Sequence, residues 1–168
     1  MTKSYVAAPD LIWTGHINAR PEVQDGFDRG RTVRFYDTTL RDGEQAVGVV
    51  FSAEDKFQIA CQLAELGIGR IESGFPRVSA EDTKAVERIL AANLSSEIWG
   101  FARAVKADID AHIELGTKSI LIEIATSESK MQAYGFTRDK VIARMSEAIK
   151  HARDHGMKVN FFPVDATR

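Results

Sequence analysis

The chemistry in this sequence is concentrated where a short apolar run stops. Val33-Arg34-Phe35-Tyr36 reads as a strand, and Asp37-Thr38-Thr39-Leu40-Arg41-Asp42-Gly43-Glu44-Gln45 follows at once. Asp37 and Asp42 carry hard oxygen donors of the kind that bind a divalent cation. Arg41, beside Asp42, has the planar guanidinium that can hold a carboxylate or an enolate oxygen through parallel hydrogen bonds. Parallel α/β folds present catalytic side chains in this way, at the carboxyl ends of their strands. The competing reading is a strand followed by a salt-bridged turn, since charged turns are common.

Positioning such groups requires a scaffold, and the hydropathy pattern supplies a repeated one. Ser52 predicts a helix start, with Glu54 and Asp55 in the first turn, Phe57, Ile59, Ala60, Leu63 and Leu66 on the apolar side, and Gly67 as the stop. Ile68 to Ser73 reads as a second strand that ends in Glu72 and the turn Gly74-Phe75-Pro76. Ser79 opens a helix that runs through Val86, Ile89 and Leu90 to a stop near Asn93; Asp82 is read there as a helix-start residue whose loss should change little. Glu97 to Ala102 is a third strand closing on Arg103, and Lys106 to Leu115 a short helix ended by Gly116. Ser119 to Ala125 is a fourth strand closing on Thr126-Ser127-Glu128-Ser129, with a loop through Tyr134-Gly135-Phe136 after it. Thr137 caps a long helix ended by Gly156, and Val159 to Phe162 is a fifth strand leading to Asp165, Thr167 and Arg168.

Strands alternating with helices through right-handed crossovers make all five strands parallel. No Gly-x-Gly-x-x-Gly follows the first strand, which argues against a dinucleotide site. Polar groups close every strand instead, and functional groups supplied by many strand ends favour the mouth of a barrel over a two-strand crevice. The expected fold is α/β: a (β/α)8 TIM barrel, incomplete here, with about five parallel strands and four helices. A complete barrel needs about 250 residues, so the chain of 168 reads as a fragment. Residues 1–32 show no clean period and are broken by Gly15, Pro21, Gly26 and Gly30. They read as an extension over the end of the domain, partly ordered by Trp13, with His16 at its surface, and residues 33–168 as the barrel portion.

A formal net charge of −2 gives no electrostatic case for nucleic acid or an anionic membrane. Apolar runs fall far short of the roughly 20 residues of a membrane span, and the amino terminus has no secretory pattern. A single cysteine, Cys61, cannot form an internal disulfide, which suits the cytoplasm. Cys61 falls in a helical pattern and reads as a small buried apolar residue. His151 and His155 are spaced to share a helix face, but a solvated helix end explains them more simply than a zinc site.

Asp37 to Gln45, followed by Gly48 and Phe51, resembles the first-strand motif of the DRE-TIM metallolyases. That superfamily includes 2-isopropylmalate, homocitrate and citramalate synthases and hydroxymethylglutaryl-CoA lyase. The resemblance extends from Val33 to Arg168 through Ile71-Glu72-Ser73-Gly74-Phe75-Pro76, Ala102-Arg103-Ala104, Ile124-Ala125-Thr126-Ser127 and Asp165-Ala166-Thr167-Arg168. It implies the amino-terminal part of a catalytic barrel in which Asp42 ligates a divalent metal (Mg, Mn or Zn) and Arg41 and Glu72 are catalytic. It also implies substrate-binding roles for Gln45, Arg103, Thr126, Ser127 and Thr167. The bland alternatives are that Glu72 is satisfied by neighbouring arginines, that Arg103 is a surface residue, and that Thr126 and Ser127 cap the next helical segment.

The activity implied is a Claisen-type condensation of acetyl-CoA with a 2-oxo acid, as in leucine biosynthesis, by a cytoplasmic enzyme that is a homodimer when complete. The alternatives are a carbon–carbon lyase or a catalytically incomplete half-barrel. The sequence departs from the pattern in places. Val164 stands where synthases commonly have a glutamate, Leu121 and Lys130 where several have histidines, and no His-x-His pair occurs.

Overall fold

The structure, a computed structural model, describes residue 17 and residues 20–26 and 30–167. Trp13 and His16 lie outside the described residues. The chain divides into two compact units at Val33/Arg34. In the first, Pro21–Gln24 forms a single helical turn, α1, with proline at its start where a missing N–H costs nothing.

The second unit is a five-stranded sheet in the order β1-β2-β3-β4-β5, parallel throughout. The strands are β1 (Tyr36–Asp37), β2 (Arg70–Glu72), β3 (Glu97–Arg103), β4 (Ser119–Ala125) and β5 (Lys158–Val164). Helices α2 (Ala53–Glu65), α3 (Ala80–Ala91), α4 (Lys106–Glu114) and α6 (Arg138–Asp154) connect successive strands. Strand order matching chain order is the signature of a barrel wall rather than of a doubly wound sheet, whose order reverses at a switch point. The unit is a half-barrel.

Local chemistry sets the helix starts. Ser52 and Asp55 form a reciprocal capping box, Asp55 N donating to Ser52 Oγ at 3.1 Å and Ser52 N to Asp55 Oδ2 at 2.9 Å. Ser79 accepts from Asp82 N at 3.1 Å and Thr137 from Lys140 N at 3.2 Å. Besides the single turn of α1, the sequence pattern misses a helix in the second unit. Residues read as loop form α5 (Glu128–Ala133), six residues too short to show a helical period.

The first strand is shorter than expected, Tyr36–Asp37 instead of residues 33–36. Val33 and Phe35 are 74% and 67% exposed, and β1 meets only β2, through Tyr36↔Arg70 and Asp37↔Ile71. Cys61, expected to be buried, is half-buried on α2.

Two apolar clusters hold the helices to the sheet. Ile120, Ile122 and Ile124 of β4 pack with Ile109 of α4 and with Val141, Met145, Ala148 and Ala152 of α6. Leu40 and Ile71 pack with Ala60 and Ala64 of α2 and Ile89 of α3. Fully burying each aliphatic side chain contributes about 1.5–3 kcal/mol. Alternate residues of β4, namely Ser119, Leu121, Glu123 and Ala125, therefore face the opposite, concave side.

One glycine is dictated by close approach. A Cβ at Gly100 on β3 would lie 2.3 Å from the ring of His112, which is fully buried against the strand. His112 Nε2 sits 2.9 Å from Phe101 O and Nδ1 3.2 Å from Thr117 Oγ1. Burial lowers the imidazole's pKa, so the ring is neutral and structural.

Candidate active site

The turn after β1 is built by its own polar residues. Asp37 Oδ1 accepts from Thr39 N at 2.9 Å and Oδ2 from Thr39 Oγ1 at 3.2 Å, a side-chain turn that occupies both oxygens. Asp37, a cation-ligand candidate by residue type, thus uses one bond from each oxygen to shape the backbone. Arg41 N and Asp42 N donate to Thr38 O, and buried Leu40 anchors the turn in the core.

Arg41 then points back over the sheet. Its Nε donates to Glu72 Oε1, its Nη1 to Asp42 Oδ1 at 2.9 Å, and its guanidinium carbon lies 4.4 Å from the centre of the Phe101 ring. Glu72 is fully buried, and its other oxygen, Oε2, has no hydrogen-bond partner among the described residues. Tyr36 Oη on β1 is likewise buried, makes no hydrogen bond of good geometry among the described residues, and lies near enough to Glu72 to interact with its carboxylate. Burial, and then the nearby charge of Glu72, pushes the Tyr36 phenol up, so it remains protonated. Taking a carboxylate out of water costs several kcal/mol unless a cation compensates. Arg41 is that cation.

Arg103 pairs with the helix that follows its strand. Its Nε and Nη2 bond both oxygens of Asp108 at 2.7 and 3.1 Å, a bidentate pair, and Asp108 is fully buried in the first turn of α4. Arg77 Nε stands 3.6 Å from the same carboxylate. Arg41, not Arg103, neutralises Glu72. The Arg103 guanidinium carbon lies 5.3 Å from the ring centre of Phe75, and Phe75 meets Phe101 edge to face at 5.6 Å. An aromatic pair thus stands between the two arginines.

Two hollows open beside these groups. One, of about 340 Å³, is lined by Arg41, Gln45, Glu44, Lys56, Phe75 and Phe101. Exposed Gln45 thus shares a hollow with Arg41. The second, of about 380 Å³, is lined by Arg103, Glu123, Lys130, Tyr134, Arg144 and Val164. A third, of about 420 Å³, lies by α4 and α6 and is lined by His151 but by none of the residues to which the resemblance gives a catalytic, metal or substrate role.

Ser127 caps the next helical segment and Thr126 does not. Thr126 Oγ1 donates to Val164 O at 3.1 Å, tying β4 to β5, and buried Ser127 accepts from Lys130 N at 3.4 Å as the N-cap of α5. Thr167 is exposed in the turn after β5. His151, 2.6 Å from Asp110 Oδ1, meets the His155 ring edge-on.

The family model described as HMGL-like matches residues 32–168. The chain belongs to the HMGL-like family. It is 44% identical over 140 residues to the 2-isopropylmalate synthase of Sulfolobus acidocaldarius, covering 82% of this chain and 36% of that enzyme. It is 42% identical over 171 residues to the homocitrate synthase AksA of Methanocaldococcus jannaschii, covering 100% of this chain and 42% of that one. The chain thus spans between 27% and 42% of the length of these and similar curated relatives.

Among solved structures, the hydroxymethylglutaryl-CoA lyase of Pseudomonas aeruginosa superposes with a TM-score of 0.64 at 23% identity, over 77% of this chain and 45% of that one. The HMG-CoA lyase of Bacillus subtilis gives 0.65 at 15%, over 77% and 45%. These likenesses establish the fold. HMGL-like membership and five sequential parallel strands together make the second unit part of a TIM barrel.

The described residues do not by themselves make a metal site. No group of three or more His, Cys, Asp or Glu among them stands close enough together to hold an ion. Asp42, 57% exposed with one oxygen on Arg41, is a single hard donor where hard divalent cations take about six.

Sequence reasoning passed over three groups that matter here. Asp108 orients Arg103, Lys56 braces the β1 turn, and Glu123 faces the second hollow. The period of two along β4 could have found Glu123, because its buried isoleucines alternate with it. Nothing local marks Asp108 or Lys56.

Proposed function

We propose that, at the length of its relatives, this protein is an acyltransferase of the 2-isopropylmalate synthase type, condensing acetyl-CoA with a 2-oxo acid. The observation that carries the proposal is a chemical one that fits the relatives' names. The buried Glu72 carboxylate holds Arg41 at a strand end beside Asp42, leaving the guanidinium next to a hollow. A guanidinium fixed in this way is preorganised for the oxyanion that develops when a carbonyl is attacked, the electrostatic contribution that usually dominates such catalysis. Arg103, held by Asp108, Lys130 and Arg144 give the second hollow the cationic lining that a carboxylate-bearing substrate needs.

Divalent-metal dependence belongs to the proposal, with Asp42 as one ligand and further donors outside the described residues. Bound there, a divalent ion would polarise the ketone of the 2-oxo acid. Homodimerisation, a cytoplasmic location and a place in leucine biosynthesis are proposed on the same likeness to the synthases. A thiol-release assay on the full-length protein, with acetyl-CoA and a panel of 2-oxo acids, tests the reading. Acid-dependent release of coenzyme A supports it. Cleavage of 3-hydroxy-3-methylglutaryl-CoA without condensation would instead assign the lyase direction.

A further inference from the structure

Glu123 is the only carboxylate lining the second hollow, and among the described residues it has no dedicated cation, unlike the two buried carboxylates nearby. Glu72 has Arg41 and Asp108 has Arg103, each through direct hydrogen bonds. Glu123 is surrounded by charges that act on it through space alone: Arg41, Lys130 and Arg103 favour its ionised form and Glu72 opposes it. No hydrogen bond or ion pair to its carboxylate occurs among the described residues. In the sheet register Glu123 stands opposite Arg103 on one side and Phe162 on the other. Its backbone neighbours Ile122 and Ile124 are buried on the helix side, which fixes its own side chain on the concave side.

The hollow it lines offers three cations, Arg103, Lys130 and Arg144, and no other carboxylate. Val164, on the adjoining strand, lines the same space and can neither accept nor donate a proton. An anionic substrate drawn in by the cations would therefore meet a single proton acceptor.

We propose that Glu123 is the general base of this site, a role that rests on the acyl-transfer reading above. The C–H bond of the acetyl thioester methyl breaks, its proton moves to a Glu123 oxygen, and its electron pair forms the enolate with charge on the thioester oxygen. The enolate carbon then bonds to the ketone carbon of the 2-oxo acid, whose carbonyl electron pair becomes an alkoxide. Water protonates the alkoxide, and Glu123 releases its proton to solvent. Water then hydrolyses the thioester to free coenzyme A and a carboxylate. Burial keeps the carboxyl above its ordinary range against the pull of Arg41, Lys130 and Arg103, which makes it a stronger base than a solvated glutamate.

The test compares wild type, Glu123→Gln and Glu123→Asp in the full-length protein with acetyl-CoA and a 2-oxo acid. Glu123→Gln keeps the shape and removes the base, so kcat should fall by about 10²-fold or more while KM for the 2-oxo acid stays within about threefold. Glu123→Asp should recover part of that loss, and the acid limb of its pH–rate profile should move, which a purely structural role would not produce. An active wild type whose Gln variant retains more than about a fifth of kcat, or loses only KM, overturns the Glu123 assignment alone. A Gln variant that fails to fold leaves the decision to Glu123→Asp, for which an unchanged rate and pH profile overturns the assignment. A wild type that releases no coenzyme A with any 2-oxo acid overturns the reaction class, and this assignment with it.

Discussion

Arg41 is fixed by three different contacts, and no other residue type satisfies all of them. Its Nε meets buried Glu72, its Nη1 meets Asp42, and its flat face lies over Phe101. A lysine carries the charge but is a point donor on a flexible stem, and it cannot bond two carboxylates in a plane while stacking on a ring. Arg41→Lys should therefore lower kcat/KM of the full-length enzyme by about 10²-fold or more, the scale of losing one oxyanion donor. A loss below about fivefold in steady-state assays would show that Arg41 only supports the turn. The same logic separates Asp37 from Asp42. Both are aspartates in one motif, but Asp37 spends its oxygens on Thr39 while Asp42 keeps a side chain more than half exposed.

At the scale of elements, the β1 turn is tied to two helices through one buried lysine. Lys56 of α2 is 2% exposed, and its Nζ donates to Glu44 Oε2 at 2.6 Å and to Asp82 Oδ1 at the start of α3. Burial pulls the ammonium pKa down, but the hydrogen bonds it donates to Asp82 and Glu44 outweigh it and leave the pKa raised. Glu44 also accepts from Phe51 N at 2.9 Å, which closes the loop that carries Asp42 and Gln45. Asp82 is thus more than the helix-start residue its sequence position suggests. Asp82→Asn removes one of two counter-charges from a buried ammonium and should cost about 1–3 kcal/mol. Urea unfolding of the full-length protein would register this as a lowered midpoint. A change below about 0.5 kcal/mol, the range of an ordinary surface substitution, would show that Glu44 suffices alone.

For the whole molecule the decisive feature is two open sheet edges. β1 and β5 each pair on one side only among the described residues. Phe161 and Phe162 of β5 are both 45% exposed, on opposite faces of the strand. Unpaired strand edges template association, and a barrel avoids them only by closing. Several hundred Å² of apolar surface left in water costs on the order of 10 kcal/mol, comparable to the stability of a domain. Residues 1–168 produced alone should therefore self-associate or populate a loosely packed, ANS-binding state without catalysis. Light scattering after size exclusion is the measurement, and a monodisperse monomer with a sharp thermal transition would contradict the expectation.

Periodic and local features were written plainly in the chain. The isoleucines of β4, the caps at Ser52, Ser79 and Thr137, and the polar strand ends depend on neighbours a few residues away, so the parallel half-barrel followed from them. Membership of a metallolyase barrel was legible in the unbroken run from Asp37 to Gln45. Which charge meets which was not legible. Arg41 finds Glu72 across 31 residues and Lys56 finds Asp82 across 26, while Arg103 turns to Asp108 only five residues on. Those pairings are set by strand register and by the helix layer, because a slip of one residue would send each side chain to the opposite face. Composition and spacing therefore determined the scaffold and where chemistry could sit. The tertiary structure decided that Asp37 shapes a turn, that Ser127 caps a helix, and that Glu123 has no hydrogen bond or ion pair among the described residues.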